Sequence, residues 1–274
     1  MAIDALKQAL LDFSTELEKT GVRMFLGGGY GLYLKQLSLE NSGTRTFLSP
    51  DAWPRARATA DLDVFLPTEI VVDYSHMVHV REALDALDYK PDESAKFMHF
   101  TKTVEGGEVR IELLSGPVEG GLRNKVKITP PRIRPKGRLE LHAYLTTEAI
   151  ALEEQPTVLD VDGVHIFIPN VFTFLLMKLH AFNDRKEEAV SDDEGRQLGR
   201  HHALDIYRLI AMASEDEVEL ARELRKTHSE SQPVATASRI VAEDFVDSNA
   251  IGALRIREHA LAGSFLDIDR FLSL

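Results

Sequence analysis

The stretch ARATADLDVFL, from Ala56 to Leu66, sets two acids, Asp61 and Asp63, inside an apolar run. On a strand, residues two apart share a face, so the two carboxylates stand side by side and repel each other. That is tolerable if they cap a turn, face open water or share a cation. The flanking Leu62, Val64, Phe65 and Leu66 argue against an open, solvated strand. Glu112 lies in a second apolar stretch, EVRIELL. Three carboxylates from two strands supply the oxygen ligands that Mg²⁺ prefers, together with substrate phosphates. Two such ions would clamp the attacking and leaving oxygens of a phosphoryl displacement. For any one of these acids the plain alternative is an exposed residue or a salt bridge, and Arg110 is a ready partner for Glu112.

The triplet Gly27-Gly28-Gly29 follows a short apolar run, VRMFL, and precedes YGLYLKQL. Gly28 and Gly29 at a helix start can cradle phosphate on backbone N–H groups, or simply make a tight turn. Neither a Walker sequence nor a GxGxxG pattern occurs. The segment Arg123 to Arg138, RNKVKITPPRIRPKGR, holds seven Lys or Arg residues and no acid. Arg123, Lys125, Lys127, Arg132 and Arg134 are candidates to contact a nucleic-acid backbone, the alternative being a solvated basic loop that pairs with acidic neighbours. His201, His202, Asp205 and His180 raise a metal-dependent phosphohydrolase as a rival, but the adjacent His-Asp pair of HD-type enzymes is missing.

The elements that must position these residues are legible in part. Ile3, Leu6, Leu10, Phe13 and Leu17 have helical spacing, and Gly21 follows as a stop. Val22–Leu26 reads as a strand, residues 38–56 as a long loop, and the Asp61 strand is closed by Pro67. Residues 74–89 read as a helix. KFMHFTKTVEGGEVRIELLSG reads as two strands about Gly106-Gly107, and a second hairpin turns at Asp162-Gly163. After Pro169 the chain reads as helices. The expected division is an α/β domain over 1–168 and a helical domain over 169–274. The 274 residues contain no cysteine, which excludes disulfides, thiolate catalysis and cysteine-based zinc sites. A net charge of −12 argues against broad nonspecific nucleic-acid binding, without excluding a local basic site. Apolar runs are too short for a membrane span, and a cytoplasmic protein is expected.

The order FLGGGYGLYL, RATADLDVFL, VRIELL resembles the polymerase β-like nucleotidyltransferase superfamily, whose motif is an apolar residue with Gly-Gly or Gly-Ser, then D-h-D, then a third acidic strand. The later IPNVFTFLLMKLHAFNDR and GRHHALDIYRL resemble the AbiEii-type nucleotidyltransferases, the toxins of type IV toxin–antitoxin systems. The resemblance spans roughly residues 22–210. It implies an α+β fold, a mixed sheet with flanking helices and a C-terminal helical domain. It also implies that a helical lysine and a downstream aspartate, here Lys178 and Asp205, join the site. A charge in FTFLLMKLHAF is costly unless paired or facing a site, though a lysine can also snorkel from a core helix. Asp205 can orient Lys178 or pair with Arg208 on its own helix. Arg185 and Arg200 are further phosphate candidates, with a surface role as the alternative.

Three departures stand out. Gly29 replaces the frequent Ser, Glu112 replaces the commoner Asp, and the segment from Tyr30 to Ala60 is longer than the usual link. The resemblance implies a transferase of the EC 2.7.7 kind that moves a nucleoside monophosphate from a triphosphate to an acceptor, with Mg²⁺, two ions by expectation. That acceptor is RNA such as a tRNA 3′ end, or a protein side chain, and an antitoxin protein would restrain the enzyme. Two alternatives have the same acidic strands: an aminoglycoside-type small-molecule nucleotidyltransferase, and a noncatalytic nucleotide-binding module.

Overall fold

A computed structural model describes residues 3–40, 42–54, 61–188, 193–260 and 265–273, with side chains for all of these except 3, 187, 188 and 193–200. The elements in chain order are α1 (Ile3–Glu18), β1 (Phe25–Leu26), α2 (Gly28–Glu40), β2 (Asp61–Leu66), α3 (Thr68–Val72), α4 (Tyr74–Ala86), β3 (Lys90–Pro91), β4 (His99–Val104), β5 (Gly107–Ser115), β6 (Val126–Thr129), β7 (Arg132–Pro135), β8 (Ala143–Leu145), β9 (Thr157–Val161), β10 (Val164–Ile168), α5 (Val171–Glu188), α6 (Asp193–Ala211), α7 (Glu215–Thr227), α8 (Gln232–Asp244), α9 (Ile251–His259) and α10 (Ile268–Phe271). Short 3₁₀ turns cover Pro50–Ala52 and Gly120–Lys125.

The chain forms two units: Met1–Lys35 with Arg57–Pro169, and Gln36–Ala56 with Asn170–Leu274. The first is built on a mixed sheet in the order β6-β7-β8-β5-β2-β1-β10-β9. β5 lies parallel to β2 and β8 and antiparallel to β4, which carries β3 on its far edge. Alternation along the central strands sorts their two faces. Leu62, Val64, Phe100, Ile111 and Leu113 point to one side and are fully buried. That side packs on α1, which also touches α4. The stripe Leu6, Leu10, Phe13 and Leu17 is buried as its helical spacing predicts. Gly21, at φ 71°, ends α1 in the left-handed region. The opposite sheet face carries the charged residues.

Two differences from the sequence reading have local causes. The first strand is only Phe25–Leu26, because Phe25 and Leu26 alone pair with Phe65 and Val64 of β2. The basic segment is largely sheet: Val126–Thr129 and Arg132–Pro135 form an antiparallel ribbon about Pro130-Pro131.

In the second unit α5 packs along α6, α7 and α8, and α6 along α9. Ser214 and Glu217 form a reciprocal capping box that starts α7. Residues 42–54, between α2 and β2, belong to this unit. Phe47 and Leu48 donate their N–H groups to the carbonyls of Ala213 and Ala211 at 2.8 and 3.0 Å, and Thr46 bridges to Ser214. Leu48 and Trp53 are buried, and Trp53 Nε1 donates to the Leu48 carbonyl. Among the described residues no helix is long and apolar enough to cross a membrane.

Candidate active site

The register of three strands assembles the site. Asp63 of β2 stands opposite Glu112 of β5, and Glu112 stands opposite His99 of β4. One row further on, Asp61, Arg110 and Thr101 are aligned in the same way. Partners in register point to the same side of a sheet, so Asp61, Asp63, Arg110, Glu112 and His99 share the face turned away from the apolar core. The three acids expected from the sequence are therefore on adjacent strands and one face.

Gly28 completes this arrangement. Gly27 extends the β1–β2 ladder by donating its N–H to the Asp63 carbonyl at 2.8 Å. Gly28 then starts α2 with φ +62°, and a Cβ there would lie 1.6 Å from Oδ2 of Asp63. Only glycine fits, both by conformation and by space. The Asp63 carboxylate thus lies against the first turn of α2, where the helix dipole favours negative charge. Gly29 follows within the same turn.

Glu112 sits where a charge is disfavoured. Burial, and next the neighbouring Asp61 charge, push its carboxyl up to about 7, against the opposing pull of Arg110. Arg110 forms an ion pair with Asp92 at 3.5 Å. Nε2 of His99 lies 3.4 Å from Oε1 of Glu112. Burial, followed by Arg110, lowers the His99 pKa, which keeps the imidazole neutral. Because Glu112 titrates near 7 in the fold, against 4.5 ordinarily, the folded protein holds its proton more tightly than the unfolded chain does. Its contribution to stability is present below pH 4.5 and is lost as pH rises to about 7. Glu112→Gln is therefore expected to stabilise the chelator-treated protein by about 1–3 kcal/mol at pH 8 and by nothing measurable at pH 4. Thermal unfolding at the two pH values tests this, and equal gains at both would refute it.

The all-oxygen donor set suits a hard divalent cation. As the side chains stand, no three His, Asp or Glu groups among the described residues converge on one point. Mg²⁺ is commonly held through one or two carboxylates plus substrate phosphates and water, and Asp61 and Asp63 are the residues that could supply them, with Glu112 on the neighbouring strand.

Lys178 and Asp205 come together in the helical unit. Lys178 Nζ donates to Oδ2 of Asp205 at 2.7 Å, and Arg208 Nη1 reaches Oδ1 of the same carboxylate at 3.2 Å. Arg208 Nε also donates to the Pro54 carbonyl at 3.2 Å. Asp205 is 1% exposed and Lys178 6%, so the lysine does not snorkel. Asp205 takes both partnerships that the sequence left open. Arg185 lies in the last turn of α5, and Arg200 lies outside the described side chains. His201 packs its ring on His259 at 4.2 Å between centroids.

The ribbon β6–β7 sorts its residues by face. Val126, Ile133 and Pro135 are turned inward and buried. Lys127 pairs in register with Arg134, and Thr129 with Arg132, on the other face. Arg123, Lys125, Lys127 and Arg132 are exposed and Arg134 is half-buried. Arg123 and Arg134 donate to backbone carbonyls, of Val118 and of Pro135 and Gly137. Among the described residues, none of these five cations forms an ion pair with a carboxylate.

His99 escaped the sequence reading, although the signal was present. A two-residue turn at Glu105-Gly106 sets Val104 opposite Gly107, and counting back along the hairpin brings His99 opposite Glu112.

No family model and no curated protein matches the chain. Solved structures do. An antigenic nucleotidyltransferase-like protein from Paracoccidioides brasiliensis superposes with a TM-score of 0.50 at 15% identity, over 92% of this chain and 94% of that one. The antibiotic-resistance factor ANT(2'')-Ia in solution matches with a TM-score of 0.40 at 10% identity, over 83% of this chain and 95% of its own. Its crystal structure with adenylyl-2''-tobramycin matches with a TM-score of 0.38 at 11% identity, over 81% and 98%. With its central mixed sheet, flanking helices and helical C-terminal part, the chain has the nucleotidyltransferase fold.

Proposed function

We propose that the protein is an Mg²⁺-dependent nucleotidyltransferase that moves a nucleoside monophosphate from a nucleoside triphosphate to RNA. The observation that carries this reading is the placing of Asp61, Asp63 and Glu112 on one face of adjacent strands, with Gly28 packed against Asp63. Asp61 and Asp63 hold the metal, which neutralises the triphosphate and polarises its α-phosphate when bound. Gly28 and Gly29 leave the backbone at the α2 start open to phosphate oxygens. The acceptor hydroxyl bonds to the α-phosphorus as the bond to the bridging oxygen breaks, and pyrophosphate departs. Glu112 serves as third ligand or as the base that takes the hydroxyl proton. The part of Lys178, paired with Asp205, in balancing phosphate charge rests on the resemblance to the AbiEii type.

RNA is favoured over a small cationic acceptor by the ribbon that carries Lys127, Arg132 and Arg134, which suits a polyanion and would repel an aminoglycoside. The toxin role, and an antitoxin partner, rest on the resemblance of the motif order to the AbiEii type. Incubation of the protein with each α-labelled triphosphate, total RNA and Mg²⁺ tests the proposal. Label is expected on RNA from one or two of the triphosphates, and not after chelation. Label appearing only on the protein, or only on an added small molecule, would overturn the acceptor assignment. Transfer to nothing would overturn the activity.

A further inference from the structure

Between the acid row and the cationic ribbon, a band of half-buried rings lines the same sheet face. Tyr144 of β8 stands opposite Leu114 of β5 on one edge and opposite Arg132 of β7 on the other. Leu114 is two residues beyond Glu112, so Tyr144 and Arg132 share the face of the acids. The rings of His99 and Tyr144 meet with centroids 5.4 Å apart. Phe97 meets His142 at 4.8 Å, and the Arg132 guanidinium lies 5.9 Å from the Phe97 centroid. The backbone N–H of His142 donates to the Phe97 carbonyl at 2.8 Å, which ties the chain just before β8 to the chain just before β4. Among the described residues Nδ1 of His142 is buried without a hydrogen-bond partner, while Nε2 of His99 faces the Glu112 carboxylate at 3.4 Å. A segment that served packing alone would carry side chains without polar atoms here, as the reverse face does with Leu62, Val64, Phe100, Ile111 and Leu113. This band instead offers π faces and one unsatisfied ring nitrogen, on His142, with carboxylates at one end and guanidinium groups at the other.

We propose that Tyr144, with Phe97 and His99 beside it, is the acceptor-positioning platform. The terminal base of an unpaired RNA end stacks on Tyr144, its backbone runs onto Arg132, Arg134 and Lys127, and its hydroxyl is delivered to the acid row. The inference rests on the RNA-acceptor reading above. It narrows the substrate to single-stranded ends, because a base held within a duplex offers no free face for stacking on a side chain.

The test uses a short single-stranded oligoribonucleotide with 2-aminopurine as its 3′-terminal base, whose fluorescence falls on stacking. It is titrated with the full-length protein at low salt in a chelator, so that no transfer occurs. The wild type is expected to bind and quench the probe. Tyr144→Leu abolishes the quench and weakens binding about tenfold, and Tyr144→Phe, which keeps the ring, restores both. Arg132→Gln weakens binding and flattens its salt dependence, while the quench at saturation persists. Binding by the wild type without a quench overturns the platform and leaves the RNA reading intact. So does an unchanged quench in a Tyr144→Leu protein whose melting temperature equals that of the wild type. No binding of the probe by a protein that transfers label to a small hydroxyl compound overturns both. Should Tyr144→Leu fail to fold, absence of the quench in the wild type still overturns the platform.

Discussion

Asp63→Ala is expected to reduce nucleotidyl transfer at least about a thousandfold, the loss of roughly 4 kcal/mol of transition-state stabilisation that follows when a metal-holding carboxylate is removed. The melting temperature should stay nearly level, because losing the carboxylate's favourable place at the α2 start offsets the relief of charge repulsion. The substitution relieves a like-charge neighbourhood in which Asp61 already disfavours ionisation of Glu112, and it leaves untouched the backbone bond by which Gly27 reaches the carbonyl of residue 63. Measured together, labelled transfer and thermal unfolding separate a chemical role from a structural one. A mutant that keeps more than a tenth of the wild-type rate would remove Asp63 from the metal site. A mutant that loses activity and stability together would make Asp63 an anchor for the start of α2.

Asp205→Ala is expected to act in the opposite sense, lowering stability by about 3–5 kcal/mol because it strands two buried cations, Lys178 and Arg208, that share one carboxylate. Lys178→Met should cost clearly less stability, since Asp205 retains Arg208 at 3.2 Å. Under the proposed function it should still depress transfer, through a higher KM for the triphosphate. Thermal unfolding of both variants, with triphosphate kinetics for Lys178→Met, tests the pair of statements. Equal destabilisation by the two substitutions would contradict the sharing of Asp205, and an unchanged KM would leave Lys178 with a purely structural part.

What the sequence disclosed follows from the range of the signals. The Asp61 strand was legible because Asp61 and Asp63 alternate with Leu62 and Val64 and Pro67 closes it, its first residue being fixed only by the structure. The hairpin was legible from its glycines, though its two-residue turn falls at Glu105-Gly106, one residue before the expected Gly106-Gly107, with Gly106 at φ 85°. The ribbon over residues 126–135 was less so. Its period-two pattern, with Val126, Ile128, Ile133 and Pro135 against Lys127, Arg132 and Arg134, was written over by the density of charge and two prolines. Side-chain alternation identified a shared face for Asp61 and Asp63. The pairing of β2 with β5 that brings Glu112 alongside them is a long-range fact that spacing alone does not contain. The same holds for Lys178 and Asp205, which sit on different helices and were joined beforehand only by resemblance. Gly28 was visible as a glycine, but its contact with the Asp63 carboxylate is a property of three dimensions.

The placement of Phe47–Trp53 against the end of α6 has a consequence for biosynthesis. Leu48 and Trp53 leave the ribosome about 160 residues ahead of the helix end, near Ala211 and Ala213, that covers this segment. At ordinary elongation rates that interval is roughly 8–30 s. Throughout it, a greasy stretch whose docking partner does not yet exist hangs from a nascent α/β unit. The chain therefore cannot mature strictly from front to back. Truncation after Pro169 would leave the stretch permanently orphaned, and the helical half made alone would lack the strap that closes it.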